Sequence, residues 1–204
     1  MLEIAVLGLL SESPLHGYEL RKRLAGLLGT FRQFSYGSLY PTLRKLSEAG
    51  WITEETPTEL TAPATRSRRG KRVYQLTAEG KEHFAQLLGD VSPDAYGEEE
   101  FGARLAFFAQ TRSDIRLQVL EGRRRRVEEQ REGMASSIAR TRGRLDRYTL
   151  KLQEHGLESV DREVRWLTEL IDGEHSRGID GEHKGATTNR TAEGSPSPIR
   201  RDRP

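Results

Sequence analysis

The sequence predicts a mostly α protein in two parts, an N-terminal winged helix-turn-helix followed by an all-α helical dimerisation region. Three observations predict it. Apolar residues recur at spacings of three and four through residues 1–50; the period shortens to two at 51–54 and again at 72–76; and a helical period returns past residue 95 and lasts to about 171.

The first helix falls at residues 1–10, where Leu2, Val6, Leu9 and Leu10 share a face. Ser13 and Pro14 punctuate the chain before a second helix from about His16 to Leu28, with Leu20, Leu24, Leu27 and Leu28 inward and Arg21, Lys22 and Arg23 partly outward. His16 suits a hydrogen-bonding role at that helix start better than a ligand role. The third helix, Ser38 to Ala49, carries Leu39, Leu43 and Leu46 and stops at Gly50. Pro41 fits if Ser38 is the N-cap, because first-turn N–H groups have no intrahelical partner; a distorted start at Ser35 is the alternative.

Trp51 to Glu54 and Arg72 to Leu76 alternate as strands. Between them Pro57, Pro63 and Gly70 make a long loop, and Arg66, Arg68, Arg69, Lys71 and Arg72 form a basic run without an acidic residue. Thr77 caps a fourth helix containing Phe84, Leu87 and Leu88. Domain boundaries follow at 1–88 and 95–172, with 89–96 as linker.

In the second part, a helix from about Glu98 to Ala109 precedes a long one that Ser113 is placed to cap. Leu117, Ile138, Leu145 and Leu152 fall at heptad position a, and Leu120, Val127, Met134 and Tyr148 at d, which outlines a seam for dimerisation. Arg124, Arg131 and Thr141 interrupt it, and Gly122, Gly133 and Gly143 each weaken a helix by about 1 kcal/mol, so a kink or split is expected. Two subunits packing as a bundle fit this row better than one uniform two-stranded coil. The last helix, about Leu157 to Ile171, adds Val160, Val164, Leu167 and Ile171. Residues 173–204 lose all apolar period and read as a disordered tail.

Function is narrowed partly by exclusion. The 204 residues hold Lys+Arg 33 against Asp+Glu 31, a net charge of +2, so a nucleic-acid partner is not announced by bulk charge and the local basic run matters more. With Cys 0, disulfides, thiol nucleophiles and cysteine metal sites are excluded. The opening segment lacks a basic n-region and a cleavage pattern, and no stretch is long and apolar enough to span a membrane, so a cytoplasmic protein with no membrane partner is expected. GxSxG, GxGxxG, P-loop and HExxH patterns are missing, and the expectation is no enzyme and no cofactor. Glu98, Glu99 and Glu100 suit a helix start. The repeat Asp172-Gly173-Glu174-His175 and Asp180-Gly181-Glu182-His183 has metal-ligand residue types, but ordering a loose tail opposes binding, and no metal is expected.

Leu7-Gly8-Leu9-Leu10, His16-Gly17-Tyr18-Glu19-Leu20, Gly37-Ser38-Leu39-Tyr40-Pro41-Thr42-Leu43-Arg44-Lys45-Leu46, Gly50-Trp51-Ile52 and Tyr74-Gln75-Leu76-Thr77-Ala78-Glu79-Gly80 together resemble the PadR family of bacterial transcription regulators. The resemblance covers about residues 1–88; the helical remainder is similar in size and helix content only. It implies a homodimer on a near-palindromic DNA operator, a repressor, released when a small-molecule effector binds between subunits. The loop from about Thr56 to Lys71 is longer than the family's common short basic turn.

A recognition helix enters the major groove near its N-terminus, so Ser38, Tyr40, Thr42, Arg44 and Lys45 are candidate DNA contacts. Packing for Tyr40, and a solvated helix face for Arg44 and Lys45, are the alternatives. Tyr18 either donates to a phosphate or staples its helix to the core. The basic run either follows phosphate, enters the minor groove, or is a solvated loop. Arg123 to Arg126 reads as a solvated surface paired with Glu128 and Glu129. Trp51, Trp166, Phe101, Phe107 and Phe108 fit either core or an effector pocket. A reading of a different class is an oligomerisation adaptor whose winged domain binds protein.

Overall fold

The structure is a computed structural model that describes residues 1–28, 36–55 and 72–188, with 178–188 as helical backbone alone. Its first element, α1 (Leu2–Glu12), is not the one-sided helix that the spacing suggests, because Ile4 through Leu10 are all buried. Helices α2, α3, α4 and α5 and strand β3 all pack on it. A helix apolar on every side is stable only as a central element.

After Pro14 comes a two-residue strand, β1 (Leu15–His16), too short to leave a periodic signal. His16 therefore lies in a sheet, paired with Val73, and not at the start of α2 (Gly17–Leu28). The third helix, α3 (Leu39–Glu48), is preceded by a 3-10 turn over Tyr36–Ser38, and Ser38 is its N-cap. At its end Gly50 N–H donates to Ser47 O and Trp51 N–H to Leu46 O, both at 3.0 Å. Gly50 takes φ 76°, the left-handed conformation that closes such a helix end.

Strands β2 (Ile52–Glu55) and β3 (Val73–Leu76) are antiparallel, and the sheet order is β1-β3-β2. Thr77 then caps α4 (Ala78–Gly89) as expected, its oxygen accepting from Gly80 N–H at 2.9 Å. These elements enclose the first apolar cluster, centred on Leu7, Leu20, Leu24, Leu39, Leu43, Leu46 and Phe84.

Helix α5 (Glu98–Leu105) ends earlier than expected, followed by a 3-10 turn over Phe108–Gln110. It serves two cores. Ala103 and nearby Phe107 belong to the first cluster, whereas Phe101, Leu105 and Phe108 pack in a second with Val119, Leu120, Val127, Val160, Leu167 and Ile171.

Helix α6 (Ser113–Thr141) has Arg112, not Ser113, at its N-cap and runs unbroken through Gly122 and Gly133. The break comes at Arg142–Arg144, a 3-10 turn containing Gly143. Helix α7 (Arg147–Thr188) starts ten residues before the expected Leu157 and continues past Gly173 into the segment expected to be a disordered tail. Residues 189–204 of that segment lie outside the described residues. Tertiary anchoring accounts for the extension: Glu174 is buried and its carboxylate accepts from Arg116 Nε at 2.8 Å and Nη2 at 2.5 Å.

The ion pairs Arg116–Glu174, Arg123–Glu163, Arg131–Asp161 and Arg142–Glu154 run in opposite numerical order along the two helices, so α6 and α7 are antiparallel. The continuous heptad seam expected from Leu117 to Leu152 is thus folded on itself. Leu120, Val127 and Leu167 are buried within one chain, and Leu117, Met134 and Val164 are partly buried against them. Ile138 and Leu145 are half-buried and Leu152 is exposed.

Candidate nucleic-acid interface

The stripe Leu39, Leu43 and Leu46 faces the core and turns the rest of α3 outward. Tyr40 is 60% exposed, which removes the packing alternative for it. Ser38 is exposed at the helix start. Thr42 is half-buried and its hydroxyl donates to Ser38 O at 2.9 Å, leaving the oxygen as acceptor.

Both cations of α3 have carboxylate partners. Arg44 Nε donates to Glu48 Oε1 at 2.8 Å, a bond that, with the charge of Glu48, raises the guanidinium above its ordinary value. Lys45 Nζ stands 3.7 Å from Glu3 Oε2 on α1, and the other oxygen of Glu3 lies 2.7 Å from His83 Nε2 on α4. The His83 ring stacks on Trp51 with centroids 3.5 Å apart. Trp51 therefore helps tie α3, the sheet and α4 together, a packing role.

Tyr18 is 72% exposed near the start of α2, which removes the staple alternative. The neighbouring Gly17 N–H donates to Arg72 O at 3.3 Å, so the start of α2 lies beside the start of β3. Arg72 Nη1 is 2.5 Å from Glu54 Oε1 across the hairpin. Burial, then the Glu54 carboxylate, push the Tyr74 phenol between them up. Arg66, Arg68, Arg69 and Lys71 lie outside the described residues. Tyr18, Tyr40, Arg44, Lys45 and Arg72 are each exposed on the winged unit.

Sequence reasoning missed the carboxylates. Glu48 was legible as the i+4 partner of Arg44, but Glu3 and Glu54 approach only through tertiary folding. The arginine run on α6 also differs from expectation. Arg123 is buried, bonds Glu163 at 2.7 Å and lies 5.5 Å from the Phe101 ring, while Arg124 pairs with Glu128 at 3.8 Å. Arg125, Arg126 and Glu129 instead line an open groove of about 540 Å³ with Tyr96 and Gly122. Trp166 and Phe101 pack edge to face, 6.2 Å apart.

Among the described residues no group of three or more histidine and carboxylate side chains could hold a metal, and no helix is long and apolar enough to cross a membrane.

Residues 6–86 match the family described as the transcriptional regulator PadR-like family. Negative transcriptional regulator PadR of Bacillus subtilis (strain 168) is 33% identical over 88 residues, which are 43% of this chain and 45% of that protein. The chain thus spans less than half the length of that curated relative. Among solved structures, Bacillus subtilis PadR in complex with operator DNA is similar at 22% identity over 85% of this chain and 98% of that one, with a TM-score of 0.40. The structure of smu.1604c from Streptococcus mutans UA159 is similar at 27% identity over 83% and 98%, also with a TM-score of 0.40. That family is one of transcription regulators, and it is the family that residues 6–86 of this chain resemble.

Proposed function

We propose that the protein is a homodimeric, sequence-specific binder of double-stranded DNA that acts as a repressor. The observation that carries this is the division of α3 into a buried leucine face and an exposed face bearing Tyr40, Arg44 and Lys45 within a winged helix-turn-helix. In this reading residues 1–88 read the operator, with Tyr18, Ser38, Thr42 and the run Arg66, Arg68, Arg69, Lys71 and Arg72 as further contacts. Residues 95–172 pair the subunits. Exposed Tyr148 and Leu152 at the turn end of α7 supply uncovered apolar surface for that pairing, and two half-sites need two winged units at fixed spacing.

The groove at Tyr96, Gly122, Arg125, Arg126 and Glu129 supports a second element, release by a small-molecule effector. Its two guanidiniums and one phenol favour an anion near the linker between the two cores.

The test is titration of the full chain with duplexes selected from a random pool, at several salt concentrations. Binding should weaken linearly in log salt, and Tyr40→Ala, Thr42→Ala and Arg44→Ala should each weaken a selected duplex, by about five- to 150-fold where a base contact is lost. Failure to select any duplex, with salt-insensitive binding, promotes the protein-binding adaptor instead.

A further inference from the structure

The winged unit and the α6–α7 pair have separate apolar clusters, and α5 joins them. Within α5, Arg104 is 2% exposed although it carries a charge. Its Nη1 donates to Leu87 O at 2.6 Å and Asp90 O at 3.1 Å; its Nη2 reaches Asp90 Oδ2 at 3.3 Å and Glu100 Oε2 at 3.5 Å. Leu87 and Asp90 form the C-terminal end of α4, where the outward carbonyls and the helix dipole favour a cation, although Leu87 O also accepts from Asp90 N–H. Asp90 is itself held, accepting from Ser92 N–H and Ser92 Oγ, each at 2.9 Å.

One guanidinium therefore grips three groups at the end of α4 from inside α5. One turn earlier, α5 is fixed to the long helices by Phe101, packed against Trp166 and under Arg123. Meanwhile α4 is tied toward α3, since Thr77 N–H donates to Trp51 O at 3.1 Å just beyond the α3 end. One route that sets the orientation of α3 relative to α6 and α7 thus runs through α4, Arg104 and α5, beside the direct packing of α5 on α1 and α2. A planar fork with several fixed donors sets an angle in a way that a single ammonium or an apolar contact does not.

We propose that Arg104 is the positioning residue that fixes the angle at which the α6–α7 arm carries the winged unit, and so the half-site separation that the dimer accepts. The second clause rests on the DNA-binding reading above; the first does not.

The chain has no cysteine, so cysteines introduced at exposed Lys22 on α2 and Glu158 on α7 are unique sites for spin labels. Labelled chain diluted in excess unlabelled chain reports the distance within one subunit. The parent should give one narrow distribution, Arg104→Gln a broad one, and Arg104→Lys an intermediate width, each with a cooperative melt. In parallel, one and two base pairs are inserted between the half-sites of a duplex selected by the parent. The parent should lose at least tenfold in affinity, whereas Arg104→Gln should bind all three spacings within about threefold. A broad parent distribution, or an unchanged one in folded Arg104→Gln, overturns the proposal. So does loss of the cooperative melt in both variants, which makes Arg104 a folding group alone. Broadening without any spacing preference in the parent leaves the joint in place and overturns the two-half-site reading.

Discussion

The ring of Phe107 lies directly over Gly8, so close that a Cβ at Gly8 would sit 2.3 Å from Phe107 Cζ. Phe107 also meets Phe84 edge to face at 5.6 Å. A residue from beyond the winged unit thus plugs the central helix of that unit.

Gly8→Ala should destabilise the chain by about 1–3 kcal/mol through overpacking, and Phe107→Ala by about 3–5 kcal/mol through the cavity it leaves. Urea denaturation of the full chain checks both. The same plug sets where the chain can be cut. A fragment ending at residue 90 loses Phe107 and Ala103 from its core and should melt well below one ending at 110; equal midpoints would show that the plug contributes nothing.

Thr77 bonds the first turn of α4 and also the Gly50–Trp51 carbonyls, its hydroxyl lying 2.8 Å from Gly50 O. Thr77→Ala should cost about 1 kcal/mol for the lost cap. Gly50→Ala, forced into a left-handed conformation, should cost about 1–2 kcal/mol. Because the two residues touch, their double variant should depart from additivity, and a double-mutant cycle from urea melts reads that departure.

Arg44 is held by Glu48, so in the proposed interface that carboxylate would compete with DNA for it. Glu48→Ala should tighten binding to a selected duplex and make it more salt-dependent, while leaving the urea midpoint unaltered because the pair is solvated. Weaker binding in Glu48→Ala would mean that the carboxylate aims Arg44 and does not compete with DNA.

Asp146 and Asp90 are two of the carboxyls that contribute to the acid limb of stability. At the start of α7, the Thr149 hydroxyl, then the N–H groups of Thr149 and Tyr148, hold Asp146 below the usual carboxylate range. For Asp90 partial burial acts upward, but bonds from Ser92 and the charge of Arg104 outweigh it. A depressed folded value means that the contribution is full above the unfolded value of about 3.9 and fades as pH falls through the folded one. The first turn of α7 and the α4–α5 joint should therefore loosen below about pH 4. Amide shifts of residues 147–150 should follow that titration in the parent and stay flat in Asp146→Asn.

Much of the winged unit was legible because its signals are local. The leucines of α3, Gly50 as its stop and Thr77 as a cap each act within one helical turn. What escaped depends on distant partners. The strand β1 exists only because Tyr74 and Val73 lie opposite it, and α7 outlasts Gly173 because Arg116, far away in sequence, holds Glu174. The heptad row gave helical periodicity correctly but not its partner, since an antiparallel turn at Gly143 and a second subunit cover the same stripe equally well. Exposed Tyr18 and Tyr40 were candidates from residue type; that Arg44, Lys45 and Arg72 each bear a carboxylate was visible only for Arg44.

The pairing of Leu15 with Tyr74 joins residues far apart in the chain, whereas α6 and α7 meet through one short turn. Closing the longer loop costs more entropy before any contact rewards it, and ladders between distant segments form slowly. The arm should consequently assemble before the sheet during refolding. Pulse-labelled hydrogen exchange would then find amides of α6 protected ahead of Tyr74, and the reverse order would assign the nucleus to the winged unit. In a chain emerging from the ribosome the winged unit is made first, and its core stays open until Phe107, just beyond α5, arrives to complete it.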